Sequence, residues 1–123
     1  MGNIDLLVTL TQHERDSNNV TIAFTMGLKA AKDGYDVELI LLSDAVHLAS
    51  KGYADKIDIG KPFEPLAKLL PDFIEAGGKI KVCSACMTHN GVEENSLVET
   101  AEVINADYVV DAIMHAKKSL QLN

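Results

Sequence analysis

Short apolar runs rich in β-branched residues alternate along this chain with segments of helical length, and that alternation leaves few architectures open. Ile4-Asp5-Leu6-Leu7-Val8-Thr9-Leu10 has the composition of a buried strand, as do Val37 to Leu42 and Ile80 to Cys83. Between the first two, Val20 to Lys32 has helical length, with Ser17 or Asn18 to cap its free N–H groups and Gly34 to stop it. Ser43 and Asp44 offer caps for a short helix through Ala49. Lys51 to Pro62, interrupted by Gly52, Gly60 and Pro62, is expected to be a surface loop. Pro65 suits a first helical turn, and Leu66, Leu69, Leu70, Phe73 and Ile74 then fall on one face of a helix to Ala76. Pro71 predicts a kink or a split within it. After Gly77-Gly78 and the third strand come a helical turn, Ser84 to Asn90, closed by Gly91, and a fourth strand, Thr100 to Ile104. A helix from Ala106 to Lys117 and a last strand from Ser119 to Leu122 complete the chain.

Strands alternating with helices at this spacing predict an α/β fold: a three-layer sandwich around a flavodoxin-like, mostly parallel sheet of about five strands, with helices on both faces. The 123 residues suffice for one domain, residues 1–123, and 47% hydrophobic content is ample for its core. Eleven Lys and Arg against eighteen Asp and Glu give a net charge of −7, the wrong sign for gripping phosphates or an anionic membrane. No apolar run reaches the roughly 20 residues of a membrane helix, and no basic residue precedes the apolar N-terminal run as in a signal peptide. A cytoplasmic location is the expectation.

In open parallel sheets, ligands gather beyond the carboxyl ends of the strands where strand order reverses. In a flavodoxin-like order that point lies between the first and third strands. The loop after the first carries His13, Glu14, Arg15 and Asp16, and the loop after the third carries Cys83-Ser84-Ala85-Cys86. These are the chain's only two cysteines. Cys83 closes a strand and opens a helical turn, where free backbone N–H groups favour thiolate over thiol, and Cys86 lies one turn on, within reach of a bond formed at Cys83. Against reactivity stands the common fate of free cysteine, burial as a small hydrophobe. Cys83, Cys86, His89 and His13 could also supply metal ligands, but a second well-spaced ligand pair is lacking. His13 can orient a substrate, help deprotonate Cys83, or simply be solvated. His47 and His115 are simplest as helix-surface residues. The first strand-to-helix loop lacks glycine, so neither the dinucleotide fingerprint nor the P-loop is present. No Gly-x-Ser-x-Gly elbow occurs, and the cysteine pair comes too late for a thioredoxin. No metal or cofactor is assigned.

At Val82-Cys83-Ser84-Ala85-Cys86-Met87-Thr88-His89-Asn90-Gly91-Val92 the chain resembles the DsrE/DsrF-like (YchN-like) family of small sulfur-relay proteins. The likeness runs through the opening strand and its polar loop, Leu41-Leu42-Ser43-Asp44-Ala45-Val46, Gly77-Gly78 and Ala101-Glu102-Val103-Ile104-Asn105-Ala106. Its most specific element is the cysteine after an apolar strand with a Gly-Val pair eight and nine positions on. The resemblance implies flavodoxin-type domains assembled as homotrimers or homohexamers, and sulfur carried as a persulfide on Cys83 between donor and acceptor proteins. Cys86 occurs only in some branches. Residues before the glycine, basic in the tRNA-thiolation branch, are His89 and Asn90 here, and no direct nucleic-acid partner is expected.

The expected function is therefore a sulfur relay in which Cys83 takes sulfur from a donor persulfide and Cys86 can release it by forming a disulfide. A thiol–disulfide oxidoreductase using both cysteines and a non-catalytic binding or assembly module are the alternatives. The helix from Val20 to Ala31 is apolar nearly all round, which predicts that part of it is buried between subunits.

Overall fold

The computed structural model describes residues 3–123. Five strands, β1 (Leu6–Leu10), β2 (Val37–Leu41), β3 (Lys79–Cys83), β4 (Glu102–Ile104) and β5 (Lys118–Leu122), alternate with four helices, α1 (Ser17–Lys32), α2 (Leu66–Glu75), α3 (Ser84–Asn90) and α4 (Ala106–His115). All neighbouring strands pair parallel, in the order β4-β3-β2-β1-β5. The α/β sandwich is as anticipated, but β1 and β3 are not neighbours, because β2 lies between them. Each of the first three crossovers adds its strand on the same side, and only β5 returns to the far side of β1. Three consecutive loops, after β1, β2 and β3, therefore stand side by side along the carboxyl edge.

Side-chain alternation sorts the strands between two cores. Val8, Leu10, Leu39, Leu41, Ile80 and Val82 join the larger core with α1 and α2, while Leu7 and Ile40 pack with Ala112 of α4 on the other face. The helix predicted around Pro71 is one continuous α2. Proline removes one backbone donor there, and burial of Leu66, Leu69, Leu70 and Phe73 along one face holds the helix together. Phe73 meets Phe24 of α1 edge to face, with ring centroids 5.8 Å apart. Gly78 is required beside it, since a Cβ there would come within 2.3 Å of the Phe73 ring.

Two expectations change. The extra apolar surface of α1 packs on α2 within the chain, leaving Met26 as its one largely exposed apolar side chain. The exposed apolar residues gather instead on α4, at Val110 (60%), Ile113 (43%) and Met114 (73%). Lys51 to Pro62 is also not a free loop. It contains a 3-10 turn, Tyr53–Lys56, buries Ala54 and Ile57, and is bonded by the Lys51 N–H to the Ser96 carbonyl and by the Leu66 N–H to the Ile57 carbonyl. No helix among the described residues is long and apolar enough to cross a membrane.

Candidate functional site

Cys83 is both the last residue of β3 and the N-cap of α3, with φ −67° and ψ 121°. The apolar strand ends there because Ser84 begins the helix, which Gly91 closes in the left-handed conformation at φ 71°. Cys83 is 8% exposed and packs with the larger core, at the rim where that core meets the carboxyl edge. A shallow depression of about 350 Å³ lies at the same edge, lined by Ser84, Val103, Ile104, Asn105 and Tyr108 and by neither cysteine. A larger cavity of about 560 Å³, lined by Glu38, Lys79, Lys81 and Tyr108 among others, touches neither cysteine.

Cys86 is half-buried and, like Cys83, a free thiol. Burial pushes the Cys86 thiol up, the adjacent Cys83 side chain adds to this, and the backbone N–H of Ser43 acts in the opposite sense. Ser43 follows β2 with φ 53°, the one non-glycine residue described in the left-handed region. The Asn90 side chain joins the two segments. Its Nδ2 donates to the Cys86 carbonyl at 2.9 Å and to the Ser43 carbonyl at 3.3 Å.

His13 stands on the loop after β1, its side chain 12% exposed. Nδ1 accepts the Arg15 N–H at 3.2 Å, so the neutral ring carries its proton on Nε2. Nε2 faces the Asp44 carboxylate at 4.0 Å, across the gap between the β1 and β2 loops. Among the described residues His13 hydrogen-bonds to neither cysteine, because β2 intervenes where adjacency of the first and third strands was expected. His47 is not a plain surface residue. Its ring stacks on Tyr53 at 5.3 Å and lies 6.0 Å from that of His13. Tyr53 in turn donates to Glu14 at 2.5 Å, and Lys56 sits over the Tyr53 ring at 3.9 Å. His115 is exposed, beside Asp111.

The arrangement thus brings the cysteine pair against the loop after β2, and sets His13 on the far side of that loop. His89 is exposed, and among the described residues no group of three or more His, Cys, Asp or Glu side chains gathers to hold a metal. Sequence reasoning used Ser43 and Asp44 only as caps and missed Tyr53 and the Asn90 bridge. A Ser-Asp pair directly after an apolar strand was the available signal for the first two; a partner 47 residues away, as Asn90 has in Ser43, leaves none.

Comparison with known proteins agrees with this fold. The model of the DsrE/DsrF-like family matches residues 6–122. The uncharacterized protein MJ0989 of Methanocaldococcus jannaschii is 28% identical over 96 residues, 78% of this chain and 80% of that one. The uncharacterized protein MK0008 of Methanopyrus kandleri is 26% identical over 102 residues, covering 81% and 79%. Among solved structures, the ychN protein of E. coli superposes with a TM-score of 0.78 at 16% identity over 96% of this chain and 98% of its own. MTH1491 of Methanobacterium thermoautotrophicum, a protein of unknown function, gives 0.71 at 12% identity over 97% and 99%.

Proposed function

We propose that this chain, which belongs to the DsrE/DsrF-like family, accepts sulfur as a persulfide on Cys83 and passes it to an acceptor thiol. The observation that carries the reading is Cys83 itself, placed where a strand gives way to a helix at the carboxyl edge, with a second thiol one turn on. In the loading step the Cys83 thiolate attacks the outer sulfur of a donor R–S–SH. A new S–S bond forms at Cys83, the donor's S–S bond breaks, and the donor leaves as RS⁻. An acceptor thiolate repeats the same exchange on the loaded Cys83. The proton count is unchanged in each step, and no net oxidant is needed.

Free thiols and this exchange both suit a reducing compartment such as the cytoplasm. Donor and acceptor are proteins presenting their own cysteines at the edge. His13, held as an Nε2–H donor, orients the incoming group; it does not act as a base. The assembly is a homo-oligomer, trimer or hexamer, and the apolar outer face of α4 supplies surface for a second copy to cover.

Incubation with a low-molecular-weight persulfide followed by intact-mass measurement tests the reading. Gain of one sulfur atom is expected in the wild type and in Cys86→Ala, and none in Cys83→Ala. A thiol–disulfide oxidoreductase would instead lose activity in Cys86→Ala, and an assembly module would keep partner binding in Cys83→Ala.

A further inference from the structure

Two strands carry a charged residue inside an apolar run: Glu38 between Val37 and Leu39 of β2, and Lys81 between Ile80 and Val82 of β3. Side-chain alternation sends those apolar neighbours into the larger core and turns both charges to the opposite face, the one that carries α4. There α4 packs Ala112 with Leu7 and Ile40, and the sheet beside it opens into the cavity of about 560 Å³. Glu38 is 9% exposed and Lys81 5%, and both line that cavity.

The two buried charges do not pair with each other. Glu38 stands opposite Lys79, and Lys81 opposite Ile40, so Glu38 and Lys81 are diagonal neighbours with backbones about 8 Å apart. Lys81 Nζ instead donates to Glu102 of β4 at 2.7 Å, and Glu38 Oε1 accepts the Tyr108 hydroxyl at 2.6 Å. Burial first and Glu38 second raise the Tyr108 hydroxyl, so it keeps its proton and remains a donor. Among the described residues Glu38 forms no ion pair, and neither buried charge makes a second side-chain hydrogen bond. Opposite charges taken out of water gain most by direct contact, because their desolvation is otherwise poorly offset. Here each is turned aside by its own partner, and both keep unused bonding capacity beside the same cavity.

We infer that this cavity is a binding site for a small zwitterion of the α-amino-acid class, with its ammonium group on Glu38 and its carboxylate on Lys81. The charge of the lining selects that class. Exposed Asp36 and Lys79 repeat the pairing of Glu38 and Lys81, so two acids face two bases. A simple anion such as phosphate meets two carboxylates there, and a simple cation meets two ammonium groups. A molecule bearing both charges answers both, in surroundings where little water competes for them. The volume falls within the range of small-molecule sites and leaves room for a side chain beside Val37 and the Tyr108 ring. Neither cysteine lines this site, so the inference does not rest on the relay reading.

Amide resonances of the nitrogen-15-labelled full chain test it. Each standard amino acid is titrated singly, with acetate and methylammonium as single-charge probes. At least one amino acid is expected to give saturable shifts over Val37 to Ile40 and Lys79 to Lys81, with half-saturation below about 1 mM, and both single-charge probes to bind at least about tenfold more weakly. Glu38→Gln keeps an acceptor for the Tyr108 hydroxyl, and Lys81→Met keeps the stem without the charge. Each is expected to weaken the amino acid about tenfold or more, the worth of one hydrogen bond to a charge. Where a variant does not fold, the comparison of probes on the wild type decides alone. No saturable shift with any amino acid, acetate or methylammonium binding as tightly as the amino acid, or unaltered binding in both variants overturns the inference.

Discussion

Tyr53 donates its hydroxyl to the Glu14 carboxylate at 2.5 Å, and so joins the turn beyond β2 to the loop beyond β1 at the edge where the reactive groups stand. The two residues are 39 positions apart. Lys56 approaches the same carboxylate at 3.6 Å, and His47 stacks on the tyrosine ring. The cluster fixes the backbone on which His13 is carried.

This pair should contribute to how stability responds to pH, beside the lowered carboxyls of Asp5 and Glu102 and the raised hydroxyl of Tyr108. The Tyr53 hydrogen bond, ahead of the charges on His13 and Lys56, holds the Glu14 carboxyl below its ordinary range. A carboxylate depressed by folding stabilises above its unfolded pKa of about 4.3, and that contribution disappears as pH falls through the folded value. Burial first and Glu14 second push Tyr53 up to about 12. A group raised by folding stabilises below its unfolded value, about 10 for tyrosine, and loses that contribution as pH rises through the folded one. Tyr53→Phe should therefore flatten the pH dependence at both edges, as read from urea midpoints between about pH 3 and 11. An acid limb as steep as that of the wild type would show that Glu14 is held by something else.

His13 should act through its Nε2 hydrogen. His13→Gln, whose amide can place a donor near the same point, is predicted to keep most of the transfer rate to a small acceptor thiol. His13→Ala should lose about two- to tenfold, the worth of a neutral hydrogen bond. Equal losses in both variants would mean that the ring serves only to fill space.

Packing at Gly78 gives a stability prediction free of the chemistry. Gly78→Ala forces Cβ into the fully buried Phe73 ring and should cost about 1–3 kcal/mol. Phe73→Ala should cost about 3–5 kcal/mol through the cavity it leaves between α1 and α2. If the double variant were no less stable than Phe73→Ala alone, the ring would be confirmed as what Gly78 makes room for.

The outer face of α4 should carry the subunit contact. Ile113→Asp with Met114→Glu, both at exposed positions, is expected to lower the mass seen by light scattering while the monomer keeps its far-ultraviolet spectrum. An unchanged mass would move the interface elsewhere.

Much of this was legible in the sequence. Strand and helix limits followed from apolar periodicity and from glycines at Gly34, Gly77 and Gly91, all of which adopt positive φ. Cys83 and Cys86 stood out because the chain has no others. Strand order did not follow, since an apolar run such as Val37 to Leu42 looks the same on either side of its neighbour, and the misplaced third strand set His13 against Cys83. Pro71 misled because a local rule yielded to the burial of four side chains around it. Ser43 could not be seen as left-handed, since only glycine advertises that conformation, and the Tyr53–Glu14 and Asn90–Ser43 bonds depend on which loops the sheet sets side by side.

The position of the transferred sulfur tests the central claim most directly. Protein loaded from a persulfide donor is alkylated, digested and fragmented in the mass spectrometer, so that the extra sulfur is assigned to one cysteine. The account predicts that it resides on Cys83 and moves from there to an added acceptor thiol. Sulfur found on Cys86 alone, or on neither residue, would contradict it.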